Sequence, residues 1–478
     1  MSTAPLWTSQ AMRAAMRADA GGALPETITG LSIDSRTIKP GEAYFAIKGD
    51  VHDGHAFVEA ALKAGAALAV VETAQREKFA ADAPLLVVGD VLQGLRELGL
   101  ASRARLKAPI IAVTGSVGKT STKEALLGVL SAQGETHASV ASFNNHWGVP
   151  LSLARCPEEV RFAIFEIGMN HAGEIEPLVK MVRPHVSIIT TVEPVHLEFF
   201  AGIEAIADAK AEIFAGLEPG GAAVLNRDNS QFDRLAANAR ARGVSRIVTF
   251  GSDAQCDARL IDVSLHASSS AVHANVLGQD VTYKLAMPGR HMAMNSLAVL
   301  AAASLAGADL ALAALSLSQV TPAAGRGVRR ALEVAGGEAI LIDESYNANP
   351  ASMAAAINVL GQAEIGPQGR RIAMLGDMLE LGPTGPDLHR GLADAVKANR
   401  IDLVYCCGPL MRNLWDALST GKRGGYAENS AGLEAQAVSA IRAGDAIMVK
   451  GSLGSKMKTI VNALEKRFPG SARDEAAG

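Results

Sequence analysis

The feature that most constrains this chain is an apolar stretch that runs straight into a glycine-rich turn and a lysine. Pro109-Ile-Ile-Ala-Val113 has the continuous apolar character of a buried strand, Thr114-Gly-Ser-Val-Gly-Lys-Thr-Ser121 follows it, and helical spacing begins near Lys119. Strand, turn and helix in that order form the context of a phosphate loop. Gly115 and Gly118 allow backbone angles and a close approach that a side chain would block. Ser116, Val117 and their neighbours then present backbone N–H groups beside the helix N-terminus, a seat for β- and γ-phosphates. Lys119 adds a mobile positive charge, and the Thr120 hydroxyl can reach Mg2+. The spacing is G-x-x-G-K-T, shorter than the full G-x-x-x-x-G-K-[ST] form, because positions 113 and 114 are Val and Thr. Alone, the loop indicates only a nucleoside triphosphate.

The rest of the chain supplies the sheet that such a loop needs. Apolar runs at Phe162–Ile167 and Val186–Val192 alternate with helical patterns, which indicates a parallel sheet covered on both faces. The alternating stretch from Arg246 to Lys284 predicts an antiparallel extension of that sheet. Before it, from about Leu31 to Val88, short strands and a helical FVEAALKAGA segment indicate a small α/β unit. After it, Ala339–Asp343, Ile372–Leu375, Leu403–Cys407 and Ala446–Val449 predict a doubly wound α/β unit. At 478 residues about three domains are expected, placed at 1–106, 107–321 and 322–478. A hinge is expected at Pro322–Gly327.

Composition removes several alternatives. The net charge of -4 provides no broad basic field, so nucleic-acid binding is not expected. The four cysteines form no C-x-x-C pair and fit a reducing cytoplasm. Arg13, Arg17 and Asp19 interrupt any signal-like apolar region. The apolar segment from Met292 to Leu317 contains Asp309, which would cost roughly 3 kcal/mol at a bilayer centre. It therefore predicts two packed helices rather than a membrane span. A cytoplasmic monomer is the expectation.

Further motifs narrow the reading. Asn144-Asn145-His-Trp-Gly-Val-Pro150, Glu166-Ile-Gly-Met-Asn-His-Ala-Gly-Glu174, Pro194-Val-His-Leu-Glu198, Ala209-Lys-Ala-Glu-Ile-Phe214 and Gly289-Arg-His291, together with the shortened loop, resemble the central part of the Mur ligases. Asp343-Glu-Ser-Tyr-Asn-Ala-Asn-Pro350, Leu375-Gly-Asp-Met378 and Val449-Lys-Gly-Ser452 resemble the branch of that family whose acceptor is D-alanyl-D-alanine. The resemblance runs from Ser32 to Leu464 and extends more loosely to the folylpolyglutamate synthases. It implies an ATP-dependent ligase of peptidoglycan precursor synthesis, with Mg2+ and a UDP-linked muramoyl tripeptide. ATP would phosphorylate the tripeptide carboxylate, and the dipeptide amine would attack the acyl phosphate.

The same resemblance implies roles for particular residues. Glu166 and Thr120 would share one Mg2+. His196 and a carbamylated Lys210 would hold a second. Asn144 and Asn145 would meet phosphate-proximal groups, although an Asx turn explains a single Asn equally well. Asn295 would contact adenine, with Met292 standing where many relatives have Asn. Arg326 would reach the phosphates across the domain gap, and Asp343 and Asn347 would approach the ribose. Ser35, Arg36, Lys48 and Gly49 would hold the uridine diphosphate. A folylpolyglutamate-type ligase and a non-ligase phosphate-loop ATPase are the competing readings.

Overall fold

A computed structural model describes residues 5–49, 51–195 and 197–470. Mostly apolar strands build three large sheets, and Trp7–Thr8 with Thr27–Ile28 adds a two-stranded antiparallel one. The first has five strands, in the spatial order Asp19–Gly21, Leu85–Val88, Leu68–Glu72, Glu42–Phe45 and Gly30–Ser32. All its pairs are parallel except the first.

The central sheet has nine strands. Six lie parallel, in the order Thr136–Ala138, Phe162–Glu166, Ile110–Thr114, Val186–Ile189, Ala222–Asn226 and Arg246–Gly251. Ala258–Leu265 continues parallel, and Ser270–Val276 and Gln279–Leu285 then pair antiparallel. The antiparallel extension thus starts later than the alternating pattern indicates. Arg246–Gly251 is buried along most of its length and belongs to the parallel set. Two apolar layers sandwich this sheet. The helix Arg290–Leu305 and the helix Leu310–Ser316 lie in one of them, divided at Asp309, whose side chain accepts from Leu312 N–H at 2.8 Å. Among the described residues no helix is long and apolar enough to cross a membrane.

The third sheet has the order Val328–Val334, Gly337–Glu344, Ala446–Lys450, Arg371–Gly376, Leu403–Cys407 and Arg423–Ala427. Only the first pair is antiparallel. Two of these strands escape sequence reading. Val328–Val334 is an edge strand with one fully buried side chain, Leu332, and Arg423–Ala427 has two glycines.

The first and central units share a core. The helix Val91–Arg105 is capped by Asp90, which accepts from Gln93 N–H at 2.6 Å. Leu95 and Leu98 of this helix pack in one cluster with Leu151 and Ala154 of the central helix Gly148–Ala154. Gly99 permits that approach, since a Cβ there would lie 3.0 Å from the Pro150 carbonyl oxygen. At the helix end Arg103 is buried. It donates to the carbonyls of Val182 at 2.7 Å and Arg183 at 2.8 Å, and pairs with Glu218 at 3.0 Å. Arg103→Met strands two carbonyls and one carboxylate contact. It is expected to lower stability by about 3 kcal/mol. Arg183→Met, at a side chain 53% exposed, should cost under about 1 kcal/mol. Denaturant midpoints of the two variants check this.

Candidate active site

The carboxyl ends of the parallel central strands place the phosphate loop, Thr190 and Glu166 on one edge. Thr114 ends its strand, and the loop turns at Gly115 with φ 147° and at Gly118 with φ 86°. The glycine at 115 is obligatory, because a Cβ there would fall 1.9 Å from Thr190 Oγ1. Thr190 follows the neighbouring strand, and its hydroxyl donates to the Val117 carbonyl at 2.5 Å. Ser116 N–H donates to Thr191 O at 2.8 Å, while Ser116 Oγ bonds Glu193 O at 3.1 Å and accepts from Glu193 N–H at 2.9 Å. The loop is therefore fixed by the adjacent strand before any ligand arrives.

Lys119 begins the helix Lys119–Ser131, and its ammonium donates to Gly115 O at 2.7 Å. Burial pushes its pKa below the usual lysine range; the Glu166 carboxylate opposes that and the Arg326 guanidinium adds to it. Glu166 ends the next strand and is fully buried. Its Oε1 accepts from Asn144 Nδ2 at 2.7 Å, whereas Oε2 is buried and has no hydrogen-bond partner. An unsatisfied buried carboxylate oxygen is costly and suits a hard cation. Thr120 Oγ1 lies 3.3 Å from Ser142 Oγ, and Arg326 Nη2 donates to the same Ser142 oxygen at 3.3 Å. Arg326 also stacks over Tyr346, 4.4 Å from its ring centroid. Ser142 thus joins the phosphate loop to an arginine 184 residues away in sequence.

Lys210 lies in the helix Ile203–Ala211 and is 2% exposed. Burial drives its pKa well below the usual lysine range, and the Lys119 charge pushes it the same way. Both effects disfavour the ammonium form relative to a free lysine.

One cleft of about 320 Å³ is lined by Ser116 to Ser121, Ser142, Asn144, Glu166, Asn295, Arg326 and Asn347. Asn295 rests on the loop: a Cβ at Gly118 would meet its Nδ2 at 2.6 Å. The far wall is Glu344, Tyr346 and Lys450, with Lys450 Nζ donating to Glu344 Oε2 at 3.2 Å and Asn347 O at 3.0 Å.

Other expected residues lie elsewhere. Asp343 is buried outside the cleft lining, with Oδ1 taken by Ser345 at 2.6 Å and Oδ2 by Lys458 at 2.7 Å. Asn145 is exposed and caps the helix Gly148–Ala154, accepting from Trp147 N–H at 3.2 Å and Gly148 N–H at 2.9 Å. Thr114 points its hydroxyl into the core, without a partner. Arg36 is exposed and holds Asp34 in a two-point contact at 2.9 and 2.7 Å, beside half-buried Ser35. Lys48 is exposed, and Gly49 packs under Trp147, whose ring carbon would lie 2.9 Å from a Cβ there. None of these four first-unit residues lines the cleft. His196 lies outside the described residues.

Three family models match the chain: the Mur ligase family catalytic domain over 27–103, the Mur ligase middle domain over 113–303 and the Mur ligase glutamate ligase domain over 329–453. A UDP-N-acetylmuramoyl-tripeptide–D-alanyl-D-alanine ligase from Escherichia coli (strain K12) is 33% identical across 92% of this chain and 94% of its own. One of the same name from Bacillus subtilis (strain 168) is 32% identical across 91% and 93%. The chain belongs to the Mur ligase family. A crystal structure of MurF from Acinetobacter baumannii superposes with a TM-score of 0.82 at 29% identity, covering 98% of this chain and all of that one.

Within this Mur ligase several residues in and around the cleft have roles that no sequence motif assigns, although Glu344 and Lys450 lie inside two of the motifs quoted above. Ser142, Thr190, Glu344 and Lys450 are common residue types on loops or strand ends, and only the fold makes them neighbours. Lys123 is another. It is a buried residue of the loop helix itself, and its ammonium donates to Ser139 O at 2.8 Å and Ala141 O at 3.2 Å, with Glu124 as its counter-ion. It holds the segment that presents Ser142 and Asn144.

Lys119→Ala should reduce nucleotide-dependent turnover by at least about 100-fold with unchanged circular dichroism. Gly115→Ala should lower both turnover and melting temperature, because its Cβ cannot coexist with the Thr190 hydroxyl.

Proposed function

We propose that this Mur ligase joins D-alanyl-D-alanine to UDP-N-acetylmuramoyl-tripeptide at the expense of ATP. The observation that carries the reading is the meeting of Lys119, the orphaned Glu166 oxygen and Arg326 in one cleft, in a chain whose relatives bear that ligase name. Those relatives, at over 30% identity along nearly the whole chain, set aside the folylpolyglutamate and simple ATPase alternatives.

Amide formation in water requires an activated carboxylate. Transfer of the γ-phosphoryl group from ATP to the tripeptide carboxylate gives an acyl phosphate and ADP. The dipeptide amine then attacks the acyl carbon, and phosphate leaves. The first step brings triphosphate and carboxylate charge together, so the protein's contribution is mainly positioning and charge stabilisation. Lys119 and the loop amides hold the β- and γ-phosphates, and Arg326 approaches them from the third unit. Asn144 holds one oxygen of Glu166 and leaves the second without a protein partner.

Glu166 and Thr120 are the groups that would hold Mg2+, which would supply charge neutralisation for the phosphates. Among the described residues no group of three or more His, Cys, Asp or Glu side chains is placed to hold a metal ion by itself. That fits a cation held by one carboxylate together with substrate phosphates. Lys210, whose charged form burial disfavours, is set up for carbamylation, which would convert a cation into an oxygen ligand. Asn295 and Asn347 supply polar contacts for the nucleoside, and the first unit takes the uridine nucleotide.

Phosphate release should require ATP, the UDP-linked tripeptide and D-alanyl-D-alanine together. ATP hydrolysis independent of both acceptors would overturn the reading. Lys210→Met removes a buried group whose charged form the fold disfavours. A depressed lysine pKa destabilises the fold increasingly as pH falls from the free-lysine value toward the depressed one. The variant should therefore melt at a higher temperature than wild type at neutral pH in carbon-dioxide-free buffer, yet ligate at least about 100-fold more slowly.

A further inference from the structure

Glu166 and Lys210 stand on elements held in place by different means. The strand Phe162–Glu166 is paired on both sides, so sheet hydrogen bonds fix its register. The helix Ile203–Ala211 has no such register. Its N-cap, Gly202, supplies no side-chain bond, and its buried residues besides Lys210 are Ile206, Ala207, Ala209 and Ala211. Apolar contacts are non-directional, and small side chains do little to fix how far along its axis a helix sits.

Two polar anchors supply the missing direction. Asp208 takes Arg234 in a two-point contact at 2.7 and 2.6 Å, which ties the helix to the next one, Phe232–Ala241; both side chains are 45% exposed. The second anchor, Glu212, is buried and follows the helix directly, two residues after Lys210. Its Oε1 accepts from Gly173 N–H at 2.6 Å, and its Oε2 accepts from Ile175 N–H and Glu176 N–H, each at 3.1 Å. Ile175 and Glu176 begin the helix Ile175–Val182, where N–H groups lack partners within the helix. A carboxylate there meets free donors and the positive end of the helix dipole. Such charge-assisted bonds are stronger than neutral ones, and burial spares them from screening.

What Glu212 grips is the far end of the segment that Glu166 begins. Gly168 N–H donates to Asn144 O at 2.8 Å, on the residue whose amide holds Glu166. Met169 and Asn170 line the cleft. Glu174 stiffens the turn that follows, accepting from Asn170 N–H at 2.8 Å and meeting His171 Nδ1 at 3.0 Å. The segment then reaches Gly173, at φ 87°, and the Glu212 carboxylate. One side chain thereby fastens the Lys210 helix to the loop after Glu166. A glutamine could not, because an amide has one accepting oxygen and its NH2 would face a backbone N–H.

We infer that Glu212 is a positioning residue of the ligase centre, setting Lys210 against Glu166, an inference that rests on the ligase activity proposed above. Glu212 is absent from the cleft lining. It acts through the main chain at 173, 175 and 176 and through Ala211, the one residue between it and Lys210.

Kinetics and hydrogen exchange on the full-length enzyme test this. Glu212→Gln should lower kcat for ligation at least about tenfold. KM for ATP should stay within about twofold of wild type, because Thr190 and Glu193 hold the phosphate loop independently. Glu212→Asp, with both accepting oxygens on a shorter arm, should retain more turnover than Glu212→Gln. Asp208→Asn, which loosens only the exposed anchor, should keep kcat within about twofold. In Glu212→Gln, amide exchange should speed up at Gly173, Ile175 and Glu176 and stay unchanged at Ser116. Arg103→Met is destabilised away from the site, and at an equal interval below its own melting temperature it should turn over like wild type. A wild-type kcat in Glu212→Gln, unchanged exchange at the three amides, or an equal kcat loss in Arg103→Met overturns the inference and leaves Glu212 a stabilising residue alone. If Glu212→Gln does not fold, Glu212→Asp is read against wild type with the same outcomes. A wild type that consumes no D-alanyl-D-alanine overturns the ligase reading instead, and the exchange result still decides what Glu212 holds.

Discussion

Burial disfavours the charge on Lys119 and on Lys210, the Lys119 ammonium adds to the cost at Lys210, and Glu166 is the carboxylate that acts on Lys119. Arg326 adds a third positive group from a different unit. This concentration of positive charge, balanced by one carboxylate with a bare oxygen, is the constraint on which the site depends. It is tolerable because the backbone holds it rigidly: Thr190, Thr191 and Glu193 fix the phosphate loop, and Lys123 fixes the segment carrying Ser142 and Asn144. A preorganised charge of this kind costs little reorganisation when anionic substrates bind, which is where catalytic electrostatics gains its advantage.

The units are joined to the central sheet in unequal ways. The first shares a hydrophobic core with it. Trp7 Nε1 donates to Ala154 O at 2.8 Å, and Arg155 Nε donates to Leu31 O at 2.8 Å. Separating them would expose packed leucines. The third meets the central unit through polar contacts across the cleft, such as Arg326 on Ser142 and Glu198 on Glu380. Polar contacts that water can replace cost little to break, so the cleft lies on the side of the molecule that opens most easily. Arg326 sits between Gly325 and Gly327, both at positive φ, and the chain there can turn without steric cost.

The third sheet offers two gaps beside the strand Ala446–Lys450. The gap toward Gly337–Glu344 is closed by the Lys450–Glu344 pair and forms the nucleotide wall. The gap toward Arg371–Gly376 ends in exposed leucines instead. One strand end thereby borders two neighbouring surfaces of opposite character.

The sequence by itself determined the fold class, the phosphate loop and the principal charges. Continuous apolar strands and a G-x-x-G-K-T turn depend on local backbone requirements, so Lys119, Thr120 and Glu166 were legible as site residues. Local rules failed where a role depends on distance across the chain. Asn144 and Asn145 look alike in sequence, yet one turns toward Glu166 and the other caps a helix. Asp343 ends a strand as a ligand residue would, but Lys458 and Ser345 occupy its oxygens. The depressed lysine at 210 and the bridging Ser142 exist only once segments far apart in sequence are packed together. Burial and charge proximity are properties of the folded arrangement, and no local pattern encodes them.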